Sequence, residues 1–146
     1  MQLTMTGEYA IRTMVHLGNL SAGSIAQISE ISRKWDIPET FLRKIVAKLS
    51  RGGLVESHRG IGGGLSLARS AEDITLLQIV EEMEGPMALN RCLVDPHVCT
   101  RSHTCVAHNV WAEAQGILRD FLASRTLADL LPVSTPPSAL SVPENR

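Results

Sequence analysis

The three cysteines of this 146-residue chain lie in one segment. Six residues separate Cys92 from Cys99 and five separate Cys99 from Cys105, and His108 follows Cys105 with two residues between them. Three thiols cannot all pair, and clustered cysteines in a chain without an export signal favour a metal site over disulfides. The spacing does not fit the Cys-x-x-Cys knuckles of zinc ribbons, whereas three thiolates with a weaker fourth ligand suit an iron-sulfur cluster. We therefore expect an iron-sulfur site, with zinc, a redox-active thiol pair or inert cysteines as the alternatives.

A second set of candidate functional residues is basic and lies in the first half of the chain. Residues 1–70 contain nine Lys and Arg against five Asp and Glu, a net charge of +4, whereas residues 71–146 contain five against ten, a net charge of −5. A basic half favours contact with a polyanion, although ordinary variation in charge is the simpler alternative. Which of these two explanations applies depends on the secondary structure that carries the charges.

Three helices are predicted over the first 51 residues. Residues 5–20 place apolar side chains at three- and four-residue spacing. Ser24, with Gln27 three positions later, matches a capping box and predicts that a second helix begins at Ser24. Pro38 fits the first position of a third helix, which Gly52 ends. The second and third helices, separated by a tight turn, form a helix-turn-helix pattern.

A β-hairpin is predicted next, since two short β-prone runs at 54–57 and 65–67 flank a glycine-rich tip. Thr75 and Gln78 cap a fourth helix that ends at Gly85. The periodicity is then lost through the cysteine segment. It returns in a long helix whose apolar stripe is too wide for a small domain to cover from one side, which predicts a homodimer interface. The stripe consists of Val106, Val110, Ala114, Ile117 and Phe121.

These elements predict a mainly α fold, a winged helix-turn-helix with a small β-hairpin wing and a long C-terminal dimerisation helix. Four ranges follow along the chain. They are a DNA-binding domain over 1–85, a cysteine loop over 86–108, a dimerisation helix and short terminal helix over 106–131, and a proline-rich, disordered tail over 132–146.

In a helix-turn-helix, the exposed early positions of the second helix face base edges in the major groove. Arg43 can donate two parallel hydrogen bonds to a guanine. Lys44, Lys48 and Arg51 suit phosphates. Arg59, on the glycine-rich wing tip, is suited to the narrow minor groove. For Glu39 and Lys48, an ordinary solvated helix face is an equal alternative. The predicted DNA contacts are Glu39, Thr40, Arg43, Lys44, Lys48, Arg51, Arg59, Gly60, Gly62 and Gly63.

A symmetric dimer would place two such helices in successive major grooves of double-stranded DNA, so its operator should be an imperfect palindrome. The chain lacks a catalytic constellation, and its glycine-rich segment lacks the following helix of a dinucleotide site, so we do not expect an enzyme. Neither a signal peptide nor an apolar run long enough for a membrane span is present, which predicts a cytoplasmic protein without membrane contact.

The wing and the cysteine segment together resemble the Rrf2 family of bacterial regulators over residues 1 to about 131. The motifs that carry the resemblance are Leu3-Thr4, Glu8-Tyr9-Ala10, Gly53-Leu54-Val55, Arg59-Gly60-x-Gly62-Gly63-Gly64 and the three cysteines. The resemblance implies a homodimeric winged helix-turn-helix regulator, typically a repressor. Several members carry a 2Fe-2S or 4Fe-4S cluster on three such cysteines and sense iron, nitric oxide or redox state. The alternatives are a zinc-stabilised or thiol-redox regulator without a cluster, and a redox protein without specific affinity for DNA.

The resemblance also implies two candidates for a fourth cluster ligand. Some members use a histidine at the position of His108, and others use an acidic residue of the partner subunit at the position of Glu8. His108 is slightly favoured because it is close to Cys105 in the chain. The gap between Cys92 and Cys99 is one residue longer than in the iron-sulfur assembly regulators. Arg43 replaces their acidic base-contacting residue, which implies a different operator.

Overall fold

The computed structural model describes residues 3–132 and confirms the mainly helical winged fold. Residues 133–146, which form nearly all of the predicted disordered tail, lie outside the described residues. The helices are α1 (Met5–Gly18), α2 (Ile28–Trp35), α3 (Glu39–Arg51), α4 (Leu76–Glu84) and α5 (Val106–Ser124), and the antiparallel strands are β1 (Val55–His58) and β2 (Gly64–Leu67). Short 3-10 helices span Ala71–Asp73, Arg91–Leu93, Pro96–Val98 and Leu127–Leu130.

The turn between α2 and α3 is fixed by local contacts. Asp36 ends α2 in the left-handed conformation, with φ of 52°. The amide of Ile37 then donates to the Ser32 carbonyl at 3.0 Å, and the Ser32 hydroxyl donates to the Ile37 carbonyl at 2.6 Å. Because the Ile37 side chain is buried in the core, this turn holds the angle between the two helices. The helix α3 begins at Glu39, one residue after the predicted start at Pro38.

The start of α2 differs from the prediction. We expected Ser24 to cap this helix, but α2 begins at Ile28 after an extended Gln27 that makes no side-chain cap. Residue Ala26 instead pairs with Leu65 of the wing through two backbone hydrogen bonds of 2.8 and 2.9 Å. This pairing, between residues far apart in the chain, satisfies backbone groups that a helix would otherwise use, and it attaches the base of the wing to the helix-turn-helix.

The end of the described chain returns to the core. Leu127 is fully buried, and its amide donates to the carbonyl of Ile74 at 2.8 Å. The amide of Leu76 donates to the backbone carbonyl of Arg125 at 2.9 Å, beside a β-bridge between Thr75 and Thr126. The short terminal helix, predicted together with the long helix α5, therefore packs on α1 and on the 3-10 helix Ala71–Asp73. The cysteine segment and α5 lie between α4 and this terminal helix and contribute no residue to the main core cluster.

A buried histidine joins α1 to α2. The indole N–H of Trp35 donates to Nδ1 of His16 at 3.3 Å, and Nε2 of His16 lies 3.2 Å from Glu30. An indole N–H can only donate, so Nδ1 accepts and Nε2 carries the proton of the neutral ring. Burial, and next the charge of Lys34, lower the pKa of His16, while Glu30 opposes them. The neutral ring is therefore the form that holds the two helices together.

This site predicts a pH-dependent loss of stability. An unfolded chain takes up a proton on His16 at a higher pH than the folded protein does, so the stabilisation is fully present above the unfolded pKa of about 6.5 and is lost as the pH falls. We expect urea unfolding to show a smaller drop in stability between pH 7.5 and 5.5 for His16→Gln than for wild type. His58→Gln, which changes an exposed histidine of β1, should retain the wild-type drop.

Candidate DNA-binding surface and cysteine segment

The exposed face of α3 carries most of the predicted major-groove residues. Leu42, Ile45, Val46 and Leu49 are buried against the core, which leaves Thr40, Arg43, Lys44 and Arg51 exposed on the other side. Arg43 forms an i, i+4 ion pair with Glu39 at 3.3 Å, and both side chains are largely solvated. Pairs of this kind contribute little to stability, so Arg43 can leave Glu39 at small cost.

Lys48 differs from its neighbours. Its ammonium group donates to the Met83 carbonyl of α4 at 3.2 Å, and the side chain is half-buried. In this conformation Lys48 links α3 to α4, which separates it from the exposed basic residues of α3.

The tip of the wing is a closed turn. The amide of Gly63 donates to the Gly60 carbonyl at 3.0 Å. Gly60 and Gly62 have φ of 99° and 78°, values that strain other residues. A Cβ at Gly63 would overlap the carbonyl oxygen of His58. These three glycines therefore shape the turn, and Arg59 is exposed beside it.

An open groove of about 340 Å³ lies between the wing and the helix-turn-helix. It includes three predicted residues, Glu39, Arg43 and Gly63, and four polar residues that sequence reasoning missed. The added residues are Gln27, Ser29, Ser57 and His58. The general placement of the first helix of a helix-turn-helix across the DNA backbone could have indicated Ser29. Ser57 and His58 carried no signal, because only the folded hairpin brings them beside α3.

The three cysteines lie outside the core, in the segment that leads from α4 to α5. All three are free thiols, with Cys92 and Cys99 half-buried and Cys105 exposed at the N-cap of α5. Within residues 3–132, no three side chains of His, Cys, Asp or Glu are grouped closely enough to hold one metal ion. Within the gap between Cys92 and Cys99, Pro96–Val98 forms a 3-10 helix that is capped by Asp95. Binding of a cluster would thus require this segment to rearrange.

The two candidate fourth ligands differ in their surroundings. Nδ1 of His108 is buried and makes no hydrogen bond within the described structure. A buried polar atom without a partner is costly, and ligation is one way to satisfy it. Glu8 is exposed and forms an ion pair with Arg12 at 3.5 Å. The donor types of Cys92, Cys99, Cys105 and His108 fit an iron-sulfur cluster, and the unpaired nitrogen favours His108.

A family model described as "Rrf2: Iron-dependent Transcriptional regulator" matches residues 3–132. The chain belongs to the Rrf2 family of transcriptional regulators. Its relatives include proteins of Aquifex aeolicus and Azotobacter vinelandii that carry the names of HTH-type transcriptional regulators. The first is 32% identical over 86% of this chain and 88% of its own length, and the second is 31% identical over 90% and 79%. This Rrf2 protein is accordingly a DNA-binding regulator and not an enzyme.

Solved structures of similar fold include regulators with different names. The global cysteine regulator CymR of B. subtilis aligns with a TM-score of 0.73 at 24% identity, over 92% of this chain and 99% of its own. The T. potens IscR aligns with a TM-score of 0.73 at 25% identity, over 93% and 94%. A transcriptional regulator from Listeria innocua has a TM-score of 0.78 at 26% identity, over 96% and 92%. These likenesses support the winged-helix fold of the Rrf2 protein.

One side of α5 is bonded to the segment that leads into the cysteines. The Gln115 side chain accepts from the amide of Leu89 at 3.0 Å. Arg119 pairs with Glu81 of α4, and the same Glu81 oxygen accepts from the amide of Met87 at 3.0 Å. We call these three residues, Glu81, Gln115 and Arg119, the polar bridge. It joins α4, the start of the cysteine segment and α5. Its residues were not recognised from the sequence because their partners, two backbone amides and a side chain on another helix, lie far away in the chain or carry no sequence signal.

The opposite side of α5 is apolar and exposed. Val110 and Ile117 are 63% and 65% exposed, Val106 and Phe121 are also exposed, and Ala114 is half-buried. At about 100° per residue, these positions share one face, roughly opposite Gln115 and Arg119. Every helix in the described part of the chain is too short or too polar to cross a membrane.

Arg59 provides a direct test of the wing. We expect Arg59→Ala to weaken binding to a duplex selected by wild-type protein from random DNA by about tenfold, and to lower the slope of log K against log salt by about one per wing. Anisotropy titrations at several salt concentrations measure both quantities. Arg69→Ala, which removes an exposed arginine beyond β2, is the control. Undiminished affinity of Arg59→Ala at physiological salt would count against the wing contact.

Proposed function

We propose that this Rrf2 protein is a homodimeric repressor whose operator binding is controlled by an iron-sulfur cluster on Cys92, Cys99 and Cys105. The observation that best supports this proposal is the position of the three free thiols. They lie on a segment outside the core that begins at α4 of the DNA-binding domain and ends at α5. A ligand that reorganises this segment acts on both helices at once.

The chain would hold the cluster through three thiolates, with His108 as the preferred fourth ligand and Glu8 of a second subunit as the alternative. When bound, the cluster supplies a group that reacts with or responds to iron supply, nitric oxide or oxidants. The protein residues provide the binding and the mechanical connection. Because His108 lies in the first turn of α5, its engagement would fix the start of that helix relative to Cys105.

The polar bridge offers the path from the cysteine segment to DNA. The Glu81 carboxylate accepts a hydrogen bond from the Met87 amide and pairs with Arg119. Movement of the cysteine segment would therefore change the contacts of a side chain on α4. The helix α4 in turn packs on α1 and α3. A coupling of about 1–3 kcal/mol through these contacts would alter operator affinity by about 5–150-fold.

The exposed stripe of α5 supports the homodimer. Large apolar residues along a helix are normally covered, and a two-fold axis would bury the same stripe of both subunits. Two α3 helices and two wings would then contact a palindromic operator, with Arg43, Lys44 and Arg51 on the major-groove side and Arg59 in the minor groove.

A second candidate function is a thiol-redox regulator without a cluster. It is favoured by the separation of the three cysteines in the described structure, and by the fold likeness to CymR, which is named as a global cysteine regulator. A third candidate function is a zinc-stabilised regulator. In both cases the DNA-binding surface is unchanged. The thiol form would respond to the redox state of its cysteines, whereas the zinc form would have no sensing chemistry.

An anaerobic absorption spectrum of freshly purified protein, combined with iron, sulfide and zinc analysis, separates these functions. We expect brown protein with matching iron and sulfide. Colourless, iron-free protein that also resists reconstitution would refute the cluster. Zinc at one equivalent would then favour the zinc form, and metal-free protein with thiol-dependent DNA binding would favour the redox form.

A further inference from the structure

The most exposed large apolar side chain of the described residues stands on the wing. Ile61 has a relative exposure of 111%, more than that of an isolated reference residue. Its neighbours in the chain are Gly60 and Gly62, so no adjacent side chain shields it. An isoleucine in this position contributes no packing to the fold, and its burial would be favourable only in a complex.

The turn presents this side chain in a defined way. The hydrogen bond from Gly63 to Gly60 closes a four-residue turn in which Ile61 occupies the second position and Gly62, with positive φ, the third. That pattern is typical of a type II β-turn, whose second residue lies at the outer corner. Because a Cβ at Gly63 would overlap the backbone, this form of the turn requires glycine at that position.

From this geometry we infer that Ile61 is an apolar wedge that packs into the DNA minor groove beside Arg59. The inference rests on the proposed wing contact and adds to it a second, uncharged element. An arginine in the minor groove is attracted by the negative potential, whereas an apolar side chain packs on sugars and base edges and opens flexible steps. Ile61 would therefore favour pyrimidine–purine steps in the operator flanks, without adding to the number of phosphate charges neutralised.

Because Ile61 is exposed, its effect on DNA binding can be measured separately from any effect on folding. Replacing a fully solvated side chain changes stability little, so Ile61→Ser should keep the wild-type unfolding transition. A loss of DNA binding in this variant then reports a missing contact. Ile61→Leu restores an apolar side chain of similar volume and serves as the rescue variant.

The experiment begins with selection of duplexes from one random library by wild type and by Ile61→Ser, with full-length protein in the state that binds DNA. Affinities for the wild-type duplex are then measured over a range of salt concentrations for wild type, Ile61→Ser, Ile61→Leu and Arg59→Ala. We expect Ile61→Ser to bind about tenfold more weakly with an unchanged salt slope, and Ile61→Leu to bind as wild type does. We also expect pyrimidine–purine steps to be enriched in the flanks selected by wild type only.

The outcomes separate this inference from the proposed wing contact. If Ile61→Ser retains wild-type affinity while Arg59→Ala loses it, the wing touches DNA and the wedge is overturned. A changed salt slope in Ile61→Ser would also overturn it, because the effect would then be electrostatic. If neither variant changes affinity, the wing contact itself fails.

Discussion

Replacing Cys99 by alanine is expected to abolish cluster incorporation. A cluster bound through three thiolates loses a covalent ligand in this variant, and even changes outside the ligand shell typically reduce metal affinity by about 10–100-fold. Iron and sulfide per protomer should therefore fall to background after anaerobic purification, together with the visible absorption. Because Cys99 lies outside the core, the unfolding transition of the colourless protein should remain close to that of the iron-free wild type.

Thr100→Ala provides the matched control, since Thr100 is the exposed neighbour of Cys99 in the same segment. It should load iron and sulfide as wild type does. A fully loaded Cys99→Ala protein would refute the proposed ligand set. Operator binding should in addition lose its dependence on iron in Cys99→Ala, which tests the regulatory role separately from cluster binding.

Replacing Ile117 by glutamate is expected to convert the proposed dimer into monomers. A two-fold axis along α5 would bury both introduced carboxylates without partners, and an unpaired buried charge typically costs about 3–5 kcal/mol. We expect the dimerisation constant to weaken by more than about a hundredfold in sedimentation equilibrium. Affinity for the palindromic duplex should fall with it, because each monomer retains only one α3 and one wing.

Ala112→Glu introduces the same charge on the same helix, at an exposed position away from the apolar stripe. This control should remain dimeric and bind DNA normally. Monomeric wild-type protein, or a dimeric Ile117→Glu variant with unchanged affinity, would exclude the α5 interface.

Much of the architecture follows from local patterns in the sequence. Helix periodicity predicts α1, α3, α4 and α5 to within a few residues, because a periodic apolar face needs only one core to pack against. The capping box of Thr75 and Gln78 forms as predicted, since both partners are three residues apart. The glycines of the wing likewise predict its turn, because positive φ is a property of single residues.

The candidate DNA surface was predictable for the same reason. Once α3 is the second helix of a helix-turn-helix, its buried apolar residues determine which side faces outward, and Arg43, Lys44 and Arg51 lie on that side. The three cysteines and His108 were also recognisable from residue type and spacing. Their mutual positions were not, because the segment that carries them has no periodic core face.

Contacts between distant parts of the chain decided the remainder. The pairing of Ala26 with Leu65 delays α2 to Ile28, although the capping pattern of Ser24 favoured an earlier start. The return of Leu127 to the core leaves the cysteine segment and α5 outside that core. The orientation of α5, with its polar bridge inward and its apolar stripe exposed, rests on the Arg119–Glu81 ion pair and on the Leu89 amide, partners that no local pattern reveals. The sequence by itself determined the helices, the strands and the reactive side chains that they carry. The tertiary structure decided how these elements pack against one another, because the free energy of each packing contact depends on groups that are far apart in the chain.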